Sequence, residues 1–144
     1  MEPNARESVA LLILRLGLGI FLLMWGLDKF FETEGAVGIF QNFYGLTLSG
    51  SAVIIAGIIE IIIAVLILLG VLKTIVYAIG LLMHLASMVV SYQHWLIHPF
   101  TGVSHLFIAS IPVLGAFIAL WLMRDRDVIA LQRGQAKTRR AGAA

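Results

Sequence analysis

"LLILRLGLGIFLLMWGLDKFF", the stretch from Leu11 to Phe31, is an apolar run interrupted by one arginine, Arg15. A helix needs about 20 apolar residues to cross a lipid bilayer, and this run is long enough. It predicts a membrane-spanning helix rather than a cleaved signal peptide, because Arg15 interrupts the apolar region and no small-x-small cleavage site follows. A charge at membrane depth is costly when unpaired. Arg15 therefore needs a partner, a water-filled pocket or a functional role.

The composition of the whole chain is that of an integral membrane protein, with 60% hydrophobic and 12% charged residues and a mean hydropathy of +1.00. Four stretches can span a bilayer, at about residues 8–27, 51–69, 74–93 and 104–123. All are far longer than strands and lack the alternation of a membrane barrel. We predict an all-α fold, an integral membrane four-helix bundle over residues 1–123, followed by a basic cytoplasmic tail at residues 124–144.

The chain has no cysteine. Without thiols, it cannot by itself carry out thiol–disulfide chemistry, ligate an Fe–S cluster or build a cysteine-ligated metal site. The sequence also shows no flavin, nicotinamide or haem motif.

Lysine and arginine are distributed unevenly between the two predicted sides of the membrane. One side receives Arg6, Lys73 in the turn between the second and third spans, and six residues after the fourth span: Arg124, Arg126, Arg133, Lys137, Arg139 and Arg140. The loops on the other side contain only Lys29. The positive-inside rule then places both termini in the cytoplasm. The basic tail is expected near anionic lipid rather than nucleic acid, because no folded basic surface or base-stacking platform accompanies it.

The long loop Asp28–Gly50 on the outer side predicts a short helix lying in the membrane interface. Its apolar residues recur at helical spacing: Ala36, Val37, Phe40, Phe43 and Tyr44. We expect this loop to form an outer mouth together with Trp25, Lys29, His94, Trp95, His98 and His105. These aromatic side chains fit either an interfacial belt or the lining of a ligand pocket.

Arg15 and Glu60 are the predicted buried ion pair. Counted from the cytoplasmic ends of their spans, the two residues differ in depth by roughly 5 Å at the rise of an α-helix. Arg15 shares a helix face with Gly19, and Glu60 lies near Gly57, so both faces allow close helix packing. Mutual neutralisation would remove the cost of both charges.

The third predicted span carries one polar stripe along its length: Tyr77, Gly80, His84, Ser87, Ser91, His94 and His98. The stripe fits interhelical hydrogen bonding, or else a proton path or a site for a polar headgroup, because histidine and glutamate can change protonation near neutral pH. Our hypothetical ligand site consists of His84, Glu60 and Ser87. His84 could exchange hydrogen bonds with the carbonyl of a quinone or the hydroxyl of its reduced form.

Three histidines are the weak candidates for a metal site. His94 and His98 have the i, i+4 spacing of a chelating pair, and His105 begins the fourth span. No carboxylate or cysteine motif supports them, so we predict no physiological metal.

The order and spacing of these motifs resemble the DoxX family of small four-helix bacterial membrane proteins, which is similar to the DoxD subunit of thiosulfate:quinone oxidoreductase. The resemblance covers roughly residues 8–123 and is carried by "LRLGLGIFLLMWGLDKFF", "GIIEIIIAVLILLGVLKT" and "SYQHW". The fourth span is nearly apolar here, unlike in many family members, and we assign it no chemistry.

The resemblance implies a subunit in the bacterial inner membrane that works beside a redox enzyme, with quinone as a possible cofactor and no identified catalytic residue. Other membrane subunits or second copies of the chain are the expected protein partners, beside membrane lipid. Two alternatives remain open: a purely structural subunit of a larger complex, and a small proton-coupled transporter that uses Glu60 and His84.

Overall fold

The computed structural model describes residues 4–102 and 104–131, apart from the side chain of His105. All regular secondary structure in this part of the chain is helical. The α-helices are α1 (Ala5–Phe31), α2 (Thr33–Tyr44), α3 (Gly50–Leu69), α4 (Lys73–Val90) and α5 (Ser110–Leu122). A π-helical turn (Gln93–Ile97) and two 3-10 helices (Ser104–Ala109 and Arg124–Arg126) complete the order.

Helices α1, α3 and α4 are long and apolar enough to cross a membrane, and the fourth apolar helix, Leu106–Leu122, is shorter. Together, α1, α3, α4 and α5 pack as a bundle in which α1 lies closest to α3 and α4 lies closest to α5. This confirms the predicted all-helical fold, and the three long apolar helices are consistent with a membrane bundle.

Capping residues and glycines determine where several helices begin and end. Asn4 begins α1 by accepting a hydrogen bond from the backbone N–H of Glu7 at 2.8 Å, and Ser49 caps α3 through Ala52 at 3.3 Å. Gly70 ends α3 in the left-handed conformation with φ +65°. A Cβ atom at residue 70 would collide with the guanidinium of Arg15, so glycine is needed there for space as well as for backbone conformation.

Small residues allow the backbones of α1 and α3 to approach closely. A Cβ added at Gly57 would lie 3.0 Å from the backbone oxygen of Gly26, and a Cβ added at Gly26 would lie 2.7 Å from Ile61 Cγ1. A Cβ added at Gly19 would lie 2.6 Å from the side chain of Leu68. Close packing of this kind holds helices together in lipid, where the hydrophobic effect contributes little.

The fourth predicted span changes helix type near its proline. Residues Ser104–Ala109 form a 3-10 helix, and α5 begins only at Ser110, so that Pro112 lies in its first turn. Proline has no N–H to donate to the carbonyl four residues earlier, and the first turn of a helix tolerates this loss. The proline thus sits at the start of an α-helix rather than in the middle of one.

The third predicted span ends earlier than expected. Helix α4 stops at Val90, and the π-helical turn Gln93–Ile97 follows it. The indole of Trp95 donates to the carbonyl of Met88 at 2.8 Å, and the hydroxyl of Ser91 donates to the carbonyl of Ser87 at 2.9 Å. The carbonyl of Ser87 also accepts from the backbone N–H of Ser91 at 3.2 Å. The two side chains thus add hydrogen bonds at the end of α4, where the last carbonyls lack partners further along the helix.

The start of α1 and the segment after α5 lie at the same end of the bundle, where Arg126 Nε and Glu7 Oε1 form an ion pair at 2.8 Å. Residues 124–131 belong to the predicted basic tail, and the structure shows that part of this segment binds to the bundle. The backbone N–H of Leu131 donates to the carbonyl of Leu69 at 3.0 Å. The rest of the predicted tail, including Arg133, Lys137, Arg139 and Arg140, lies outside the described residues.

Helix α2 lies within the loop where a short interfacial helix is predicted. It begins beside α1 and α3, and its Phe43 ring contacts His94, in the π-helical turn, and Phe107. This helix therefore connects the two halves of the bundle at the end opposite Glu7, which we call the α2 end. Its location in a membrane interface remains a prediction.

Candidate functional site

Arg15 pairs with Asp127, a residue in the segment after α5. Arg15 Nη1 donates to the two carboxylate oxygens at 3.1 and 2.9 Å, and Nη2 donates to the carbonyl of Ile129 at 2.7 Å. Only 3% of Arg15 and 0% of Asp127 are exposed. The guanidinium is therefore neutralised by a carboxylate that lies as deep as itself.

Two residues of α4 complete the environment of Asp127. The hydroxyl of Tyr77 donates to Asp127 Oδ2 at 2.6 Å, and Lys73 Nζ donates to the main-chain carbonyl of Asp127 at 2.7 Å. Tyr77 and Lys73 are both buried. We call Arg15, Lys73, Tyr77 and Asp127 the Asp127 cluster. It joins α1, α4 and the segment after α5 through charge-assisted hydrogen bonds, which are stronger than neutral ones.

The predicted Arg15–Glu60 ion pair is wrong. Gly19 faces Leu68 and Gly26 faces Ile61, so Arg15 is level with the turn after α3, and Glu60 is level with the last turns of α1. At about 1.5 Å per residue, this register separates Arg15 and Glu60 by about 18 Å along the bundle. The predicted depths of the two residues were similar because the start of α1 was aligned with the end of α3. In the structure, the first turns of α1 extend beyond the end of α3.

Glu60 instead pairs with Lys29, one of the residues expected at the outer mouth. Lys29 Nζ lies 2.5 Å from Glu60 Oε2 and also donates to the carbonyl of Trp25 at 3.1 Å. The two side chains are 13% and 9% exposed. Gly57 makes the approach possible, because a Cβ there would lie 3.0 Å from Lys29 Cβ. The predicted neutralisation of Glu60 therefore occurs with a different cation.

His84 lies in the seam between α1, α4 and α5. Its ring centroid is 5.6 Å from that of Phe21 and 5.7 Å from that of Phe117, and Nε2 lies 2.9 Å from the backbone oxygen of Ser110. A carbonyl oxygen can only accept, so Nε2 carries the hydrogen. His84 is buried with 7% of its surface exposed.

The three residues of the hypothetical ligand site have different surroundings. Glu60 is bound to Lys29, His84 is bound to Ser110, and Ser87 is exposed on α4. The buried hydroxyl of Ser110 has no hydrogen-bond partner among residues 4–102 and 104–131. The structure thus adds Ser110 to the neighbourhood of His84 and does not bring Glu60 to it.

The residues expected at the outer mouth are partly brought together at the α2 end. The His94 ring stacks on Phe107 at 4.7 Å and contacts Phe43 at 5.3 Å, and its Nδ1 lies 3.1 Å from Ser104 Oγ. The loop Asp28–Gly50 therefore contacts the segment around His94 through Phe43, and an outer mouth formed by these residues stays a prediction. Trp25 is half exposed, and its ring lies 6.4 Å from that of Phe21.

The histidines show no chelating arrangement in the part of the chain that the structure describes. No group of three or more His, Cys, Asp or Glu side chains there could hold a metal ion. His94 contacts Ser104 and two aromatic rings, whereas His98 is exposed. The side chain of His105 lies outside the described residues.

Asp127 and Ser110 are the site residues that the sequence did not reveal. Asp125 and Asp127 are the two acidic residues between the fourth span and the end of the chain, and both follow that span closely on the side of Arg15 and Lys73. Their position close to the end of the fourth span was the feature of the sequence that could have identified a partner for Arg15. Ser110 gave no comparable signal, because it lies in the nearly apolar fourth span.

A model of the DoxX family matches residues 10–99, which is more than half of the chain. The matched region contains Arg15, Lys73 and Tyr77 of the Asp127 cluster and the Lys29–Glu60 pair, whereas Asp127 and Ser110 lie outside it. No curated protein and no solved structure matches the chain.

Proposed function

Because the chain belongs to the DoxX family, we propose that it is an accessory subunit that works beside a redox enzyme in the bacterial inner membrane. The family and the three long apolar helices make it a small multi-pass membrane protein. The redox partner is inferred from the family's similarity to a subunit of a quinone-reducing enzyme.

The observation that carries this proposal is that buried charges are neutralised within the chain. Arg15 is bound to Asp127, and Glu60 is bound to Lys29, with all four side chains largely buried. Charges held in this way do not depend on a substrate for compensation, and removal of one partner would leave the other charge buried and unpaired. Their arrangement supports a structural and docking role over a transport pathway that uses Glu60.

The orientation of the subunit follows from its charged end. Lys73, Arg124 and Arg126 lie at the end where α1 begins, and Lys29 is the lysine near the α2 end. The positive-inside rule supports a cytoplasmic location for the first of these ends. In this orientation the α2 end faces the outer side of the inner membrane.

The α2 end is the proposed surface for the redox partner. Phe31 is 81% exposed and Phe100 is 89% exposed. Large aromatic side chains with this exposure act as anchors in protein interfaces and at the bilayer surface. The α2 end therefore presents two exposed aromatic side chains to a neighbouring protein at the level of the lipid headgroups.

Purification from native membranes in mild detergent tests this proposal. A flavin-, haem- or Fe–S-containing enzyme should copurify with the wild type and with Ile58→Ala, a control on the exposed face of α3. The same enzyme should be lost from the double variant Phe31→Ala/Phe100→Ala. Isolation of the wild type alone or only as a homo-oligomer would contradict the proposal and favour the transporter.

A quinone-linked role is the second candidate, and the environment of His84 favours it. With Nε2 bound to Ser110, a neutral His84 keeps Nδ1 as an acceptor. The hydroxyl of Ser110, the residue whose carbonyl binds His84, is buried and has no partner in the described chain, and a buried polar group without a partner often marks a missing ligand or water. A quinol headgroup could bond to both groups, beside the rings of Phe21 and Phe117.

Quinone extraction from the purified protein tests this second role. The wild type should retain isoprenoid quinone above its content in the bulk membrane, and Ser110→Ala and His84→Ala should both lose the excess. Ser51→Ala, a change at an exposed serine near the start of α3, serves as the control. Equal quinone content in all four proteins would leave His84 as a packing residue.

A further inference from the structure

Three hydrogen-bond donors on two helices converge where the bundle meets the segment after α5. Arg15 on α1 and Tyr77 on α4 bind the carboxylate of Asp127 at 2.6 to 3.1 Å. Lys73 binds the backbone oxygen of the same residue. The three donors are 3%, 0% and 6% exposed, in the order Arg15, Tyr77 and Lys73. Helices therefore hold all the donors, whereas the acceptor comes from a non-helical segment.

The donor set includes one N–H group that the carboxylate of Asp127 does not use. Arg15 Nε is buried and has no hydrogen-bond partner in the described chain. A phosphate group carries more charge and more acceptor oxygens than a carboxylate, and a guanidinium matches its geometry well.

The segment that supplies the carboxylate is fastened mainly by polar contacts. We call residues 127–131 the strap. Its large apolar side chains remain exposed, at 38% for Val128, 43% for Ile129 and 70% for Leu131. Asp127 itself is fully buried. Displacement of the strap would therefore break hydrogen bonds and an ion pair, which another anion can replace, and would disrupt little apolar packing.

We propose that Arg15, Lys73 and Tyr77 form an anion-binding site that the chain fills with its own Asp127, and that a phosphate group can take this place. The site lies where the bundle meets the proposed cytoplasmic interface, so the phosphate can belong to an acidic phospholipid or to a soluble anion. This site is independent of the proposed redox partner, since it lies at the opposite end of the bundle from Phe31 and Phe100.

Chemical rescue of Asp127→Ala in nanodiscs of neutral lipid tests the proposal. The variant should unfold at a lower temperature than the wild type and than Asp125→Ala, which removes an exposed carboxylate two residues away. Acetate, inorganic phosphate or phosphatidic acid should raise its Tm by several degrees and leave the Tm of Asp125→Ala unchanged. Rescue by phosphatidic acid alone identifies a lipid ligand, and rescue by inorganic phosphate identifies a soluble one. Failure of all three anions would overturn the proposal.

A second measurement keeps the proposal testable if Asp127→Ala does not fold. Asp127→Asn keeps the shape of the side chain but removes its charge, so it should hold the strap less tightly. Native mass spectrometry should then show about tenfold more bound phosphatidic acid than in the wild type or in Asp125→Asn, the change expected from about 1.4 kcal/mol. Equal retention by the three proteins would contradict a competition between Asp127 and phosphate.

Discussion

Arg15 and Asp127 are separated by 112 positions in the sequence and form a fully buried ion pair at 2.9 Å. The pair links the first helix of the bundle to the segment that follows the last one. A buried charge needs compensation, and Arg15 obtains it from outside the four spans. The strap is accordingly part of the fold, although it lies within the predicted basic tail.

Two truncations should separate the role of the strap from that of the residues after it. Removal of residues 132–144 preserves every contact of the Asp127 cluster described above, so the thermal stability should remain close to that of the full chain. Removal of residues 127–144 leaves Arg15 without its carboxylate and should reduce the amount of folded protein in the membrane several-fold. Fluorescence-detected size exclusion would measure both. Equal folding of the two truncated chains would show that the strap is dispensable.

The Lys29–Glu60 pair should be energetically coupled. Glu60→Gln or Lys29→Met alone leaves a largely buried charge with a weaker partner, so each should lower the free energy of unfolding by about 1.5–3 kcal/mol. The double variant should lose less than the sum of the two, because it leaves neither charge unpaired. Reversible unfolding in mixed micelles provides the four values. Additive losses would show that the pair contributes no interaction energy.

Two glycines of α1 provide a matched test of the helix crossing. Gly26→Ala places a Cβ 2.7 Å from Ile61 Cγ1, and this overpacking should destabilise the bundle by about 1–3 kcal/mol. Gly17→Ala meets no atom within 4 Å and should be neutral or up to about 1 kcal/mol more stable through helix propensity. Thermal unfolding of the two variants decides the comparison. Equal Tm values would contradict the close approach of α1 and α3.

The proposed orientation can be tested by labelling, because the chain contains no cysteine that would have to be removed. Single cysteines that replace Glu34 and Thr101 should react with a membrane-impermeant maleimide in intact spheroplasts. Both residues are exposed and lie at the α2 end. A cysteine at Asp125 should react only after lysis. The reverse labelling pattern would invert the topology.

The sequence predicted the helices and the need to neutralise Arg15 and Glu60, since apolar length and isolated charge are visible in any one chain. It did not predict the partners. Pairing depends on the register between helices, and the close contacts of Gly19 with Leu68 and of Gly26 with Ile61 set that register. Helix ends aligned by residue counting cannot reproduce it.

The burial of His84 was predictable from the sequence, but its hydrogen-bond partner was not. Its place on a polar stripe of α4 indicated a side chain that faces other helices, and it is indeed buried. Its hydrogen bond to Ser110 depends on the change from 3-10 to α-helix just before Pro112. The sequence shows Pro112, which disfavours a continuous α-helix at that point. It does not show that the carbonyl of Ser110 would face His84.

A double-mutant cycle on Arg15 and Asp127 tests most directly the central claim that buried charges in this protein are neutralised within the chain. Arg15→Met and Asp127→Asn should each lower the free energy of unfolding by about 3–5 kcal/mol, because each strands the opposite charge. We expect the double variant to lose clearly less than the sum of the two. Additivity within about 0.5 kcal/mol, the value for sites that do not interact, would contradict the account.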